Sequence, residues 1–186
     1  KNSEDARRYV ENRIEHPIRI ISGLEEAKLI SLHPKAQTGT GKMFVDVGGG
    51  STEIYVYKED KHLIQSFQLG GVRLMLKKDK KNEWSRLEEW IKKQTNINTI
   101  TGLGGNIRAF LSIHNVKKMS SNEFIKKASE LRKLSVDEKI TLHNLSHDRA
   151  DVIDHGLKIF LKIINGLQVK KIKSTKWGVS DSIAVK

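Results

Sequence analysis

The sequence predicts an α/β domain built on a mixed sheet, and three observations carry that reading. β-rich runs at 43–47, 53–58 and 62–69 follow one another with short breaks, the pattern of strands paired antiparallel. The first two are joined by Asp46-Val47-Gly48-Gly49-Gly50-Ser51-Thr52-Glu53, so the sheet opens on a hairpin. Later β-rich runs, at 98–101 and 171–174, instead lead through glycines into stretches of helical spacing.

In chain order, residues 3 to 15 read as a helix with Ala6, Tyr9, Val10, Arg13 and Ile14 on one face, ended by Pro17. Ile18-Arg19-Ile20-Ile21 reads as a short strand. Ser22-Gly23 starts a second helix, Leu24 to Leu32, stopped by Pro34, with Glu25 and Glu26 complementing the positive end of its dipole. Residues 35 to 42 are a loop, and Glu59-Asp60-Lys61 is the turn between the second and third strands. Gly70-Gly71 precedes a short helix at 72–76. A helix at 83–95 places Trp84, Leu87 and Ile91 together. After the strand at 98–101, Gly102 to Gly105 form a turn and Asn106 to Ile113 a helix. Helices at 121–134 and 136–145 open on serines. The longest helix, from Asp148 to Leu167, carries a core stripe of Val152, Ile153, Leu157, Phe160, Ile164 and Leu167. The strand at 171–174 and a turn at Gly178 lead to a short closing helix.

Composition narrows the function. Of 186 residues, 37% are hydrophobic and 30% charged, the balance of a globular chain. No apolar run approaches the roughly 18 residues of a membrane span, and there is no signal-peptide pattern. The absence of cysteine rules out disulfides and fits a cytoplasmic location. A net charge of +12 favours polyanionic partners. The lysines come in pairs, as at Lys77-Lys78 and Lys126-Lys127, but no basic run is interleaved with aromatics, and no DNA or RNA partner is expected.

The three-glycine turn points to phosphate. Gly48, Gly49 and Gly50 bring no side chain to obstruct backbone N–H groups facing an anion, and Ser51 and Thr52 add hydroxyls. It is neither a Walker loop nor a dinucleotide fingerprint, because a strand follows it and not a helix. Asp46 ends an apolar run, where a carboxylate needs a cation. Mg²⁺ takes one or two carboxylates plus substrate phosphates, and Asp46 and Glu53 meet that requirement.

These residues carry a resemblance. Asp46 to Glu53 resembles the phosphate loop of the exopolyphosphatase/guanosine pentaphosphate phosphohydrolase (Ppx/GppA) family, of the actin–hexokinase–Hsp70-like (ribonuclease H-like) fold. Ile20-Ile21-Ser22-Gly23-Leu24-Glu25-Glu26-Ala27, Leu69-Gly70-Gly71-Val72-Arg73-Leu74, Gly102-Leu103-Gly104-Gly105-Asn106-Ile107-Arg108-Ala109 and Arg149-Ala150-Asp151-Val152-Ile153 with Gly156 resemble further family blocks, in the family's order. The resemblance implies Glu26 as the catalytic base that orients a water. It implies Asp46 and Glu53 as metal-associated acids, and Gly48 to Ser51 as the phosphate cradle. The implied reaction is metal-assisted release of terminal phosphate from inorganic polyphosphate or guanosine pentaphosphate. Thr52, Gly104 and Gly105 are further candidate phosphate contacts, although Gly102 to Gly105 equally suits a plain turn.

Two departures shape the expectation. The family's N-terminal domain is absent, so residues 1–34 read as its remnant with a hinge helix and 35–186 as the second actin-like domain, holding about half of an interdomain site. Ser180 stands where the family often has an arginine, and Asn106 where it usually has threonine. A catalytically impaired polyphosphate- or nucleotide-binding domain is therefore the alternative, and an actin-like ATPase or sugar kinase shares the fold. A homodimer is left open. His147, Asp148, Asp151, Asp154 and His155 fall at helical spacing but lack ligands elsewhere for a metal site; Asp148 reads as a helix cap and the others as solvated.

Overall fold

The computed structural model describes residues 3–36, 41–58 and 61–184. Its helices are α1 (Ser3–Ile14), α2 (Gly23–Leu32), α3 (Gly71–Met75), α4 (Lys81–Lys92), α5 (Gly105–Ile113), α6 (Ser121–Leu131), α7 (Val136–His143), α8 (His147–Asn165) and α9 (Val179–Ala184), with a 3₁₀ turn at Pro34–Ala36. The strands are β1 (Lys42–Val47), β2 (Thr52–Lys58), β3 (Lys61–Phe67), β4 (Thr99–Leu103), β5 (Lys118–Ser120) and β6 (Lys171–Ser174). They form one sheet in the order β3-β2-β1-β4-β6-β5. The β3-β2-β1 meander is antiparallel, β1-β4-β6 is parallel, and β5 closes the edge antiparallel to β6.

Strand alternation sends side chains to two layers. Met43, Val45, Val47, Ile54 and Val56 face the larger core, where Phe110, Phe124, Ile153, Leu157 and Phe160 of α5, α6 and α8 cover the sheet. Phe44, Tyr55 and Leu103 face the other way, into a smaller cluster with Ile30 of α2 and Trp177. There α2 packs on β2, β3 and α9. A Ser22–Glu25 capping box starts α2, the Ser22 hydroxyl accepting from the Glu25 N–H and the Glu25 carboxylate from the Ser22 N–H.

Several expectations change. Residues 18–21 form no strand: Ile20 is 47% exposed and no neighbouring strand takes up its backbone. Gly102 belongs to β4 and not to a turn, and its Cα hydrogens lie so close to Ile107 that a Cβ would sit 2.8 Å from it. The edge strand β5 was not expected. The helix expected at 83–95 is α4, two residues earlier at its start and three at its end. The cap of α8 is Ser146, and Asp148 stands in the first turn. Ser120 and Ser135 do cap α6 and α7. The Glu59-Asp60 part of the expected hairpin turn lies outside the described residues. Among the described residues, no helix is long and apolar enough to cross a membrane.

Candidate functional site

Strand parity builds the acidic part of the site. Asp46 lies two residues beyond Phe44, and Glu53 two before Tyr55, so both carboxyls belong to the α2 face of the sheet. They are direct partners in the β1–β2 register. The N-terminus of α2 abuts Glu53: a Cβ on Gly23 would lie 2.6 Å from Glu53 Oε1 and would crowd Ser66 Oγ as well. One turn into α2, Glu26 is close enough for its charge to act on both acids. Glu25 is spent on the capping box and on Arg19, and Glu26 is the α2 carboxylate whose charge acts on the two acids.

Burial sets the electrostatics. Asp46 is pushed up to about 6, first by burial and then by Glu26, against a pull from Arg108. Glu53, 3% exposed, is pushed up to about 7 by burial, with Glu26 and Asp46 adding to the rise. Hydrogen bonds from Ser51 and Ser66 oppose it; Ser66 Oγ donates to Glu53 Oε1 at 2.8 Å. Three carboxyls packed this way are held at a cost that a cation would offset. Among the described residues, no group of three or more His, Asp or Glu is placed to hold a metal ion. The acids here therefore do not form an all-protein metal cage, and any cation beside Asp46 and Glu53 would need water or ligand oxygens to complete its shell.

The glycine turn is oriented by the segment after β3. Gly71 N–H donates to the Gly48 carbonyl and Arg73 N–H to the Gly49 carbonyl, both at 2.9 Å, and Arg73 Nε donates to the Gly50 carbonyl at 2.7 Å. A trans peptide points its C=O and its N–H in opposite directions. With three successive carbonyls drawn to residues 71–73, the N–H groups of Gly49, Gly50 and Ser51 are turned away from that segment as a run of donors. None of the three glycines has positive φ, and a Cβ at each would have its nearest protein atom at 3.3 to 3.9 Å. Backbone strain requires glycine at none of the three, and packing is tight only at Gly49, where a Cβ would lie 3.3 Å from Val72 Cγ2. Without side chains, the three glycines leave the backbone of the turn open to approach.

The second glycine turn meets the first. Gly104, with φ of +84°, caps α5, and a Cβ there would lie 2.8 Å from Asp46 Oδ1. A cavity of about 380 Å³ is lined by Asp46, Gly48, Gly49, Gly104, Gly105 and Arg149, among others. Arg149, near the start of α8, donates from Nη1 to Asn106 Oδ1 at 2.7 Å. Its guanidinium passes so close to Gly105 that a Cβ there would meet Nη2 at 2.4 Å. The sequence reading gave no role to Arg73, Arg149 or Ser66. Arginine beside Gly70-Gly71 was the available signal for Arg73, and no local signal marked Arg149.

Other expectations sort as follows. Gly48, Gly49, Gly104 and Gly105 line one cavity, and Gly50 and Ser51 lie in the turn that borders it. Thr52 is corrected: fully buried, it donates its hydroxyl to the Leu69 carbonyl at 2.6 Å and so pins the turn to the chain after β3. Ser180 is exposed in α9. Of the α8 decoys, His147 pairs with Asp151 at 3.2 Å. Asp154 is partly exposed, and it also accepts from the buried Lys139 at 2.7 Å.

Comparison with known proteins gives the chain a family. The pattern of the Ppx/GppA phosphatase family matches residues 1–186. A curated guanosine-5'-triphosphate,3'-diphosphate pyrophosphatase of Pseudoalteromonas translucida is 26% identical over 194 residues, covering 92% of this chain and 39% of the relative. The chain thus spans well under half the length of that relative. A Ppx/GppA family member of Aquifex aeolicus superposes with a TM-score of 0.75 at 24% identity, over 100% of this chain and 69% of the other. An exopolyphosphatase of Cytophaga hutchinsonii does so with a TM-score of 0.79 at 15% identity, over 100% and 70%. These two structures share its fold.

Proposed function

The chain belongs to the Ppx/GppA phosphatase family, and from that premise we propose that it forms one wall of a phosphoanhydride hydrolase site. Its fold is the expected actin-like α/β domain. The substrate class we propose is a polyanion with a terminal phosphoryl group, inorganic polyphosphate or guanosine pentaphosphate. The observation that carries the reading is the meeting of Glu26, Asp46 and Glu53 beside three backbone amides turned outward by residues 71–73. Net charge of +12 supports it by favouring long anions.

In this reading the Gly49, Gly50 and Ser51 amides bind terminal phosphate oxygens, and Arg149 takes a neighbouring phosphate. Asp46 and Glu53 would hold Mg²⁺, which when bound neutralises phosphate charge and orients the oxygens around the reacting phosphorus. Glu26, on the turn of α2 that faces the acids, accepts a proton from the attacking water and aligns it with the scissile P–O bond. Residues 1–34 join this domain to a second one that supplies the opposing wall. That division is part of the proposal, and it predicts that the 186-residue chain binds the anion without turnover.

The test is orthophosphate release from defined polyphosphate and from guanosine pentaphosphate by the complete protein with Mg²⁺. Release from either substrate is the expected result. Tight binding of both without release would favour the catalytically impaired alternative, for which Ser180 in place of the family's arginine is the specific observation.

A further inference from the structure

We infer that Arg73 is a positioning residue that holds the three-glycine turn in its anion-accepting form; this rests on the phosphate-binding reading above. Arg73 touches the turn twice, through its backbone N–H on the Gly49 carbonyl at 2.9 Å and its Nε on the Gly50 carbonyl at 2.7 Å. It is therefore responsible for the orientation of two consecutive peptide units, those whose N–H groups belong to Gly50 and Ser51.

The guanidinium is itself held in place. Its Nη2 donates to Gln68 Oε1 at 3.0 Å. The Gln68 backbone N–H in turn donates to Glu83 Oε2 at 2.6 Å, and Glu83 is 7% exposed on α4. A buried carboxylate on a helix of the larger core thus anchors, through Gln68 and Arg73, the tip of an exposed glycine turn. The Gly48 N–H closes the turn on the Ser51 carbonyl at 3.0 Å, and the hold of Arg73 on the Gly50 carbonyl adds the constraint that keeps the Ser51 N–H outward, since glycine peptides flip readily. A planar fork suits the task, since one side chain reaches Gly50 and Gln68 in fixed geometry, which a lysine ammonium does not reproduce.

The test uses the full 186-residue chain, with tripolyphosphate as the probe, in calorimetry and in amide proton spectra. Wild type should bind and shift the Gly50 and Ser51 amide protons downfield. Arg73→Gln should weaken binding about tenfold, the factor for one charge-assisted hydrogen bond. It should also abolish the Ser51 shift while leaving the thermal midpoint in place. Arg73→Lys should not rescue either readout. Gln68→Leu, which keeps the arginine, should produce a smaller loss in the same direction and guards against a folding failure of the first variant. Full binding with a preserved Ser51 shift in Arg73→Gln, or rescue by Arg73→Lys, would overturn the positioning role alone. A wild-type chain that binds no tripolyphosphate would remove the phosphate reading itself, and the positioning role with it.

Discussion

Asp46 and Glu53 are cross-strand partners whose carboxyls share one face of the β1–β2 hairpin, and burial drives both toward neutrality, to about 6 and about 7. A carboxyl whose folded pKa lies above its unfolded value contributes stability that is fully present at acid pH and is lost as pH rises through the folded value. In metal-free buffer the Asp46–Glu53 pair should therefore withdraw stability between about pH 4 and about pH 7, the range spanned by the unfolded and folded values of the two carboxyls, while His114 and His155, held low by burial, act with the opposite sign. For Glu53 the loss is on the order of 3 kcal/mol. Thermal midpoints across this range should show the decline. Glu53→Gln should flatten it, and Mg²⁺ should raise the midpoint more at the alkaline end. Identical pH profiles in metal-free wild type and Glu53→Gln would contradict the account.

The turn glycines and their support should separate function from stability. Gly50→Ala places a methyl in open space, 3.9 Å from Arg73, and should change stability by no more than about 1 kcal/mol. It should nevertheless weaken tripolyphosphate binding, because the methyl occupies the ligand's approach. Gly70→Ala is the contrast. Its Cβ would fall 2.5 Å from the Gly49 carbonyl oxygen and 2.6 Å from the Gly50 carbonyl carbon, with no flexible side chain to yield. Denaturant titration should show a cost of about 1–3 kcal/mol.

Arg149 should act through affinity. Removing it in Arg149→Leu takes a cation from the cavity that Asp46, Gly49 and Gly105 line. Binding of tripolyphosphate should fall about tenfold, and the remaining binding should depend less on salt. Titrations at two ionic strengths check both.

Much of this was legible because it follows local rules. Asp46 stands two residues from Phe44 and Glu53 two from Tyr55, so period-two alternation alone places the acids on one face. Ser22 and Ser135 were readable as helix openers by an equally local rule, and the structure adds that each completes a capping box. What escaped depends on contacts distant in sequence. Arg73 reaches Gly50 over 23 residues and Arg149 reaches Asn106 over 43, and no spacing rule connects them. Strand β5 is three residues long and owes its existence to pairing of Met119 with Ile172. Conversely, Ile18 to Ile21 had the composition of a strand, but β-propensity yields to the absence of a partner.

Asp154 illustrates the same limit and supplies a control remote from the proposed site. Lys139, 2% exposed, donates to Asp154 Oδ2 and to the Leu134 carbonyl, each at 2.7 Å, tying α7 to α8. Lys139→Ala leaves the carboxylate unpaired and should cost about 3–5 kcal/mol in denaturant titration. The double variant Lys139→Met with Asp154→Leu should recover most of that loss, with tripolyphosphate affinity unchanged.

Glu26 tests the central claim most directly. In the complete protein with Mg²⁺, Glu26→Gln keeps the size of the side chain but cannot accept a proton. Phosphate release from polyphosphate or guanosine pentaphosphate should fall by about 10²–10⁴-fold, the typical contribution of a positioned general base. Substrate affinity should stay near that of wild type. Turnover in Glu26→Gln equal to wild type would contradict the assignment of α2 as the element that activates water.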